Sequence, residues 1–139
     1  MSDLFQGLIQ ALTLIFNLDP DLYSISSRSL QVTLSATIIA SLIGIPFGSW
    51  LAISMFRYRS LVIVIINALM GLPPVVVGLI VYVFLSKSGP FGVFNLLFTP
   101  TAMIIAQVLI ILPIVASVSH RTIRILWMEY RDFFVSLNA

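Results

Sequence analysis

Few residues in this chain of 139 are of the types and spacing that catalytic chemistry needs. Ser119 and His120 pair a potential nucleophile with a potential base, but adjacent side chains generally cannot form that geometry, and no acidic residue is nearby to orient the histidine. The sequence has no cysteine, no cluster with metal-ligand spacing and no glycine-rich phosphate loop of the Walker type. We therefore predict no enzyme activity, no metal and no cofactor, so any energy for the protein's work comes from elsewhere.

The most distinctive motif is a double proline between two glycines, in residues 70–78 of a charge-free apolar stretch. Pro73 and Pro74 have no backbone N–H, so the chain loses helical hydrogen bonds, and unsatisfied polar groups are costly inside hydrocarbon. Such a break marks a hinge, a cavity or a pathway, and we expect Gly71 and Gly78 to shape it. The alternative is a packed kink with no solute role.

Two amide side chains within the apolar stretches are candidates for the same pathway. Asn67 precedes the double proline, and Gln107 lies in the next apolar stretch. A buried amide can contact a solute, but a hydrogen bond between helices is the alternative for both residues. No carboxylate occurs in these stretches, which weakens a proton-coupled carrier and leaves passive or partner-driven translocation.

Composition indicates that these motifs lie in a bilayer. Hydrophobic residues make up 60% of the chain and charged residues only 9%, which is outside the usual range of soluble domains. Charged residues are absent from residues 29–56, 60–86 and 88–119, and each stretch reaches the ~17–25 residues of a membrane span. We predict an all-α integral membrane fold with three transmembrane helices, at about residues 29–56, 60–85 and 101–120.

An amphipathic segment, residues 1–18, precedes the transmembrane domain of residues 19–139. It has no basic leading region and no cleavage pattern, which argues against a signal peptide. Its apolar residues recur at helical spacing, which predicts a helix lying on the extracytoplasmic membrane surface. They are Leu4, Phe5, Leu8, Leu12, Ile15 and Phe16. Asp19 and Pro20 then have the form of an N-cap and a first-turn proline, so we expect a long helix to begin there.

Small residues four apart in the first span predict a helix-packing face, with a solute lining as the alternative. They are Thr33, Thr37 and Ser41, followed by Gly44, Gly48 and Ala52. After the second span, residues 86–100 have the glycine and proline content of a turn-rich loop. We expect its aromatic residues to be interfacial anchors or to cover a pore mouth. They are Phe91, Phe94 and Phe98.

The distribution of basic residues predicts the orientation, because segments rich in Lys and Arg tend to stay cytoplasmic. With three spans, five of the seven basic residues fall on the side of Arg57 and two on the other. The five are Arg57, Arg59, Arg121, Arg124 and Arg131; the two are Arg28 and Lys87. We predict an N-terminus outside and a cytoplasmic C-terminus. The arginines are dispersed near membrane boundaries, which argues for membrane lipid and against nucleic acid as a partner.

Residues 70–78 resemble the second core helix of the permease subunits of ABC importers for tungstate and molybdate, which carries a similar glycine and double-proline segment. Residues 86–92 and 97–107 look like the tungstate branch, so the resemblance covers almost the whole chain. It implies the first part of a type I importer permease in a prokaryotic plasma membrane, forming part of an oxyanion pathway, with tungstate the preferred solute. Molybdate, sulfate or another small solute is an alternative, as is a small non-transporting subunit that binds partner helices.

The resemblance also implies an ABC ATPase subunit, an extracytoplasmic substrate-binding protein and a second permease copy in a homodimer as partners. Family members contact the ATPase through a cytoplasmic loop that begins Glu-Ala-Ala and reaches Gly six residues after the Glu. In residues 121–139, Asp132 takes the acidic position and Asn138 the glycine position, with Glu129 and Ala139 also in the contact. Two phenylalanines replace the small pair. Because family members continue through further spans, the resemblance leaves open a fragment, a truncated product or a split subunit.

Overall fold

The computed structural model describes residues 2–17 and 19–137, with the backbone alone for Ser2, Asp132 and Phe134. Within these ranges the chain forms α-helices joined by short connections, without strands. The helices are α1 (Ser2–Phe16), α2 (Pro20–Ile53), α3 (Arg59–Met70), α4 (Pro74–Leu85) and α5 (Pro100–Leu137), with a 3₁₀ turn at Gly92–Phe94. Helices α2 and α5 are each long and apolar enough to cross a membrane, whereas α3 and α4 are so only as a pair. The all-helical prediction is confirmed, with two to three candidate spans.

The start of α2 is the N-cap that the sequence predicts. The Asp19 side chain accepts a hydrogen bond from the Asp21 backbone N–H at 2.9 Å, and Pro20 is the first helical residue. The helix ends at Ile53, three residues before the predicted limit of the first span, because Ser54 adopts an extended backbone (φ −74°, ψ 138°). The helix is continuous through Pro46.

Helices α2 and α5 pack against each other in parallel. A Cβ atom added to Gly44 would lie 3.0 Å from Val115 Cγ1, and one added to Gly48 would lie 2.9 Å from Ser119 Cβ. Nearer the start of both helices, Val32 and Gln107 line the same cavity. Residue numbers therefore rise together along the two helices, which makes them parallel.

A stripe of buried residues on α2 faces α5. Its members are four apart: Val32, Ala36, Ala40, Gly44, Gly48 and Ala52. The predicted packing face is confirmed for its second half but wrong for Thr33 and Thr37, which are exposed. Thr33 and Thr37 each follow a buried residue of the stripe, Val32 and Ala36, by one position, which points a side chain about 100° away from the face that contacts α5. The Thr37 hydroxyl instead donates to the Thr33 carbonyl at 2.8 Å.

Helices α3 and α4 run antiparallel to α5. Asn67 of α3 is hydrogen-bonded to Ser117, whereas Leu85 at the end of α4 shares an apolar cavity with Leu109 and Ile105. As the chain advances through α3 and α4, its contacts move back along α5. The pair therefore runs back along α5, opposite in direction to α2 and α5.

Helix α5 extends beyond its predicted span. It continues without interruption from Pro100 through Pro113 to Leu137, whereas the resemblance led us to expect a loop near Asp132. The sequence from 114 to 137 contains no glycine or proline to end a helix. The start of the predicted coupling segment is therefore a helical extension of the third apolar helix.

Candidate functional site

The double proline breaks the second apolar stretch into two helices whose axes are bent by 98°. Gly71 ends α3 with φ −82°, Pro73 is extended (φ −60°, ψ 135°), and Pro74 is the first residue of α4. Proline suits the first helical position because its missing N–H has no intrahelical partner there in any case. The predicted break is confirmed, and it is a sharp turn rather than a mild kink.

Tighter turns satisfy part of the backbone that the prolines leave unpaired. The Gly71 N–H donates to the Ala68 carbonyl at 3.1 Å, and the Leu72 N–H donates to the Leu69 carbonyl at 3.2 Å. On the other side, the Val76 N–H donates to the Pro73 carbonyl at 2.9 Å. In a regular helix the Leu69 carbonyl would accept from the N–H of residue 73, which proline lacks, and here it accepts from the Leu72 N–H in a three-residue turn instead.

The break faces space that the described residues do not fill. Gly71, Pro73, Pro74 and Gly78 are all exposed. A Cβ atom on Gly78 would meet nothing within 4 Å, and one on Gly71 would meet only the Ala68 carbonyl oxygen at 3.4 Å. Packing among the described residues thus gives no reason for glycine at 78, in contrast to the close packing at Gly48.

Asn67 forms a hydrogen bond between helices, the alternative that the sequence left open. The Ser117 hydroxyl donates to Asn67 Oδ1 at 3.1 Å, and Ser117 is only 4% exposed. Asn67 itself is exposed, and its amide nitrogen has no hydrogen-bond partner among the residues whose side chains are described. Asn67 therefore holds α3 against α5 through its oxygen and leaves two N–H donors for another group.

Gln107 lies in a different cavity, of about 280 Å³, between the first half of α2 and the start of α5. The other polar side chains lining it are Ser24, Arg28, Ser29 and Thr33. Gln107 Oε1 is buried without a hydrogen-bond partner among the described residues. From the sequence, Arg28 was predicted only to lie near a membrane boundary. It lines the same cavity as Gln107 because α2 packs against α5.

The six predicted pathway residues therefore do not form one cluster. Ser117, the partner of Asn67, is ten positions from Gln107 on α5, about 15 Å along the helix axis. Gly71, Pro73, Pro74 and Gly78 belong to the broken helix together with Asn67. Gln107 belongs to the α2–α5 cavity instead.

The connection from α4 to α5 folds back onto α4 through aromatic side chains. The ring centroids of Phe84 and Phe91 are 6.3 Å apart and those of Phe91 and Phe94 are 6.5 Å apart. These three residues help to line an apolar cavity of about 520 Å³. Phe98 lies outside this cluster, 87% exposed and with a positive φ of 63°. The predicted aromatic group thus divides into a packed pair and an exposed residue.

The predicted ATPase-coupling residues are only partly described. Glu129 is exposed on α5, and Asp132 is described by its backbone alone. Asn138 and Ala139 lie outside the described residues. Among the described side chains no group of three or more His, Cys, Asp or Glu residues is arranged to hold a metal ion.

Three transport proteins are similar to this chain. The tungstate uptake system permease protein TupB of Peptoclostridium acidaminophilum is 40% identical over 120 residues, which is 86% of this chain and 53% of the relative. A probable anion ABC transporter permease protein of Haloferax volcanii is 40% identical over 111 residues, 80% of this chain and 48% of the relative. TupB of Campylobacter jejuni is 37% identical over 112 residues, covering 81% and 47% of the two chains.

The chain is a relative of anion ABC transporter permeases. It spans about half the length of the permeases it matches. No protein-family model and no solved structure matches it. The resemblance inferred from the double-proline segment is thus confirmed at the level of sequence similarity to these permeases, two of which are named for tungstate uptake.

Proposed function

We propose that this chain is a permease subunit of an ABC importer for tungstate and forms part of the anion's pathway through a prokaryotic plasma membrane. The observation that carries the proposal is 40% identity, over 86% of the chain, to a permease named for tungstate uptake. The candidate spans α2 and α5 and the broken α3–α4 pair fit a protein that crosses the membrane several times.

Three spans are the arrangement that the packing favours. Because α2 and α5 are parallel, a chain that crosses the membrane in both must return between them, and only α3 and α4 are available for that return. Arg59 at the start of α3 shares a cavity with Arg124, and Leu85 at the end of α4 shares one with Ile105. Residues 105 and 124 are about 28 Å apart along α5, close to the ~30 Å hydrocarbon thickness. A re-entrant loop would instead leave Arg59 and Arg124 on opposite sides.

The same packing supports the proposed orientation. Three spans bring five basic residues to the side of Arg57 and leave Arg28 and Lys87 on the other. This bias favours a cytoplasmic C-terminus and an outside start of α2. The apolar residues of α1, such as Leu4 and Phe16, are exposed, in keeping with a helix lying on the outer membrane surface.

We assign the pathway to the exposed surface at the break in this helix, around Gly71, Pro73, Pro74 and Gly78. The described side chains near this break are uncharged, and the free amide donors of Asn67 can hydrogen-bond an oxyanion. A dianion must leave as well as bind, so neutral donors suit transport better than a fixed arginine. Gln107 lies in a separate cavity, so its role is either to pack α5 against α2 or to contact the anion at a second position.

The proposed importer needs partners that the chain does not supply. A separate ATPase would contact residues 129–139, including Glu129, Asp132, Asn138 and Ala139. An extracytoplasmic protein would deliver the anion, and a second copy of the permease would complete the pathway. The α5 helix extends about 25 Å beyond residue 120, far enough to emerge from the membrane toward such an ATPase.

Cellular tungsten uptake tests the proposal. The natural protein, expressed with its ATPase and binding protein in cells lacking their own tungstate importers, should raise tungsten content measured by mass spectrometry. Gly78→Leu should lower initial uptake by about tenfold or more if the break shapes the pathway. Gly7→Leu is the matched control, because a Cβ atom at Gly7 or Gly78 meets nothing within 4 Å. Tungsten content that does not depend on the protein would contradict the proposal.

A further inference from the structure

A pocket of basic residues lies where α2 ends, α3 begins and α5 continues past its apolar portion. Its volume is about 320 Å³. The arginines that line it are Arg59, Arg124 and Arg131, and the apolar lining includes Trp127, Met128 and Ile53. No acidic residue lines it among the described side chains. We refer to it as the basic pocket.

The residues that α5 contributes to the basic pocket lie on one face of that helix. Positions 124, 127, 128 and 131 follow the i, i+3, i+4, i+7 spacing of a single helical face. Glu129 is about 140° around the helix from Arg124, so its carboxylate lies away from this face. The two α5 arginines therefore concentrate positive charge on the face that meets α2 and α3.

Arg59 is partly committed to the protein itself. Its guanidinium Nη2 donates to the Ala52 carbonyl at 3.1 Å, at the C-terminal end of α2, where a cation also complements the helix dipole. Its Nε is buried without a hydrogen-bond partner among the described residues. This arginine holds the pocket in shape, and Arg124 and Arg131 remain exposed for an external anion.

The position of the basic pocket relative to the membrane indicates which kind of anion it binds. Residue 124 is about 36 Å from Pro100 along the helix, just beyond the ~30 Å hydrocarbon core. Lipid phosphates occupy this depth, and tryptophan is enriched there. On the proposed cytoplasmic side, anionic lipids are attracted to basic pockets between membrane helices.

We propose that the basic pocket binds the headgroup of an anionic phospholipid. The phosphate contacts Arg124 and Arg131, and the adjoining glycerol and acyl carbons lie against Trp127, Met128 and Ile53. A small oxyanion would use the arginines alone and leave the apolar lining uncovered. The mixture of cationic and apolar lining therefore favours a lipid. This proposal requires a membrane-embedded chain but not tungstate transport.

Lipid retention tests the proposal on the natural protein, purified without its ATPase from membranes and exchanged into equal amounts of phosphatidylglycerol and phosphatidylcholine. Native mass spectrometry should detect retained phosphatidylglycerol over phosphatidylcholine. Arg124→Gln with Arg131→Gln should lower that retention by about tenfold or more, since each basic residue near a lipid surface contributes substantially to binding. The matched control, Arg57→Gln with Arg121→Gln, removes the same charge from exposed arginines that do not line the pocket, so it should lower the retention much less than the pocket pair does.

Two further measurements test for lost folding and for binding of a small anion in place of a lipid. Arg124→Lys with Arg131→Lys keeps both charges and should restore most of the retention, which distinguishes lost binding from lost folding. Inorganic phosphate at millimolar concentration should not displace the lipid. Displacement by phosphate, equal losses in the two glutamine pairs, or no preference for phosphatidylglycerol would each overturn the proposal.

Discussion

The Ser117 hydroxyl donates to Asn67 Oδ1 across 3.1 Å, joining α3 to α5 directly before the chain turns at the double proline. Ser117 of α5 is buried, whereas Asn67 is exposed and its amide N–H groups have no partner among the described side chains. This pair fixes the end of α3, so the 98° turn begins from a held position rather than from a loose helix end.

A double-mutant cycle measures that contact. Asn67→Ala, Ser117→Ala and the double variant should give a coupling free energy of about 0.6 kcal/mol, and no more than about 2, as is typical of hydrogen bonds between membrane helices. The measurement is unfolding by steric trapping in bicelles. Additive losses from the two single variants would mean that the hydrogen bond does not form in the membrane.

The glycines of α2 and α4 should respond differently to alanine. Gly48→Ala places a Cβ atom against the Ala116 backbone and 2.9 Å from Ser119 Cβ, so the two helices must separate. We expect a loss of about 1–3 kcal/mol in the free energy of unfolding, the usual cost of overpacking. Gly78→Ala has open space and should not destabilise the fold. Equal thermal stability of the two purified variants would contradict the close packing of α2 against α5 at Gly48.

Topology can be mapped because the chain has no cysteine of its own. The proposed three spans and orientation would place Ser88 outside and Tyr58 in the cytoplasm. In intact cells a membrane-impermeant maleimide should label Ser88→Cys, whereas Tyr58→Cys should react only after permeabilisation. Labelling of both residues from the same side would indicate a re-entrant α3–α4 pair and two spans.

The double proline should be the main cause of the sharp turn. With each helix about 18 Å long, a 98° bend places the outer ends of α3 and α4 about 24 Å apart, against about 39 Å for one straight helix. Spin labels at Ser60→Cys and Ser86→Cys report this separation by pulsed electron paramagnetic resonance. Replacing Pro73 and Pro74 by alanine should shift the distance toward the longer value. An unchanged distance would assign the bend to packing against α5.

Gln107 provides a test that separates packing from transport. Its Oε1 is buried without a partner among the described residues, so Gln107→Leu removes an unsatisfied polar group. We expect the free energy of unfolding to stay the same or rise by about 1 kcal/mol. Tungsten uptake by this stable variant should then remain close to that of the natural protein, as a packing role requires. A stable variant with strongly reduced uptake would instead assign Gln107 to the anion pathway.

Several features followed from sequence because they depend on local chemistry. The N-cap at Asp19, the turn-rich connection after α4 and the break at Pro73 and Pro74 each arise from residues that act on their own backbone. Long uncharged stretches likewise indicated membrane helices, because the bilayer imposes their length. The permease resemblance also came from a local motif, the glycine and double-proline segment.

Other features depended on which helix faces meet, and the tertiary structure alone decided them. The packing stripe of α2 runs through Val32 and Ala36 rather than Thr33 and Thr37, because its phase is set by contact with α5. The sequence grouped Asn67 and Gln107 in one pathway, but Asn67 of α3 contacts α5 at Ser117, whereas Gln107 of α5 faces α2. Ser117 and Gln107 are about 15 Å apart along α5. Arg59 and Arg124, 65 positions apart in the chain, line one pocket because two parallel helices and a returning broken helix bring their ends together. Sequence thus determined where the chain breaks and which stretches favour lipid, and packing decided which side chains share a site.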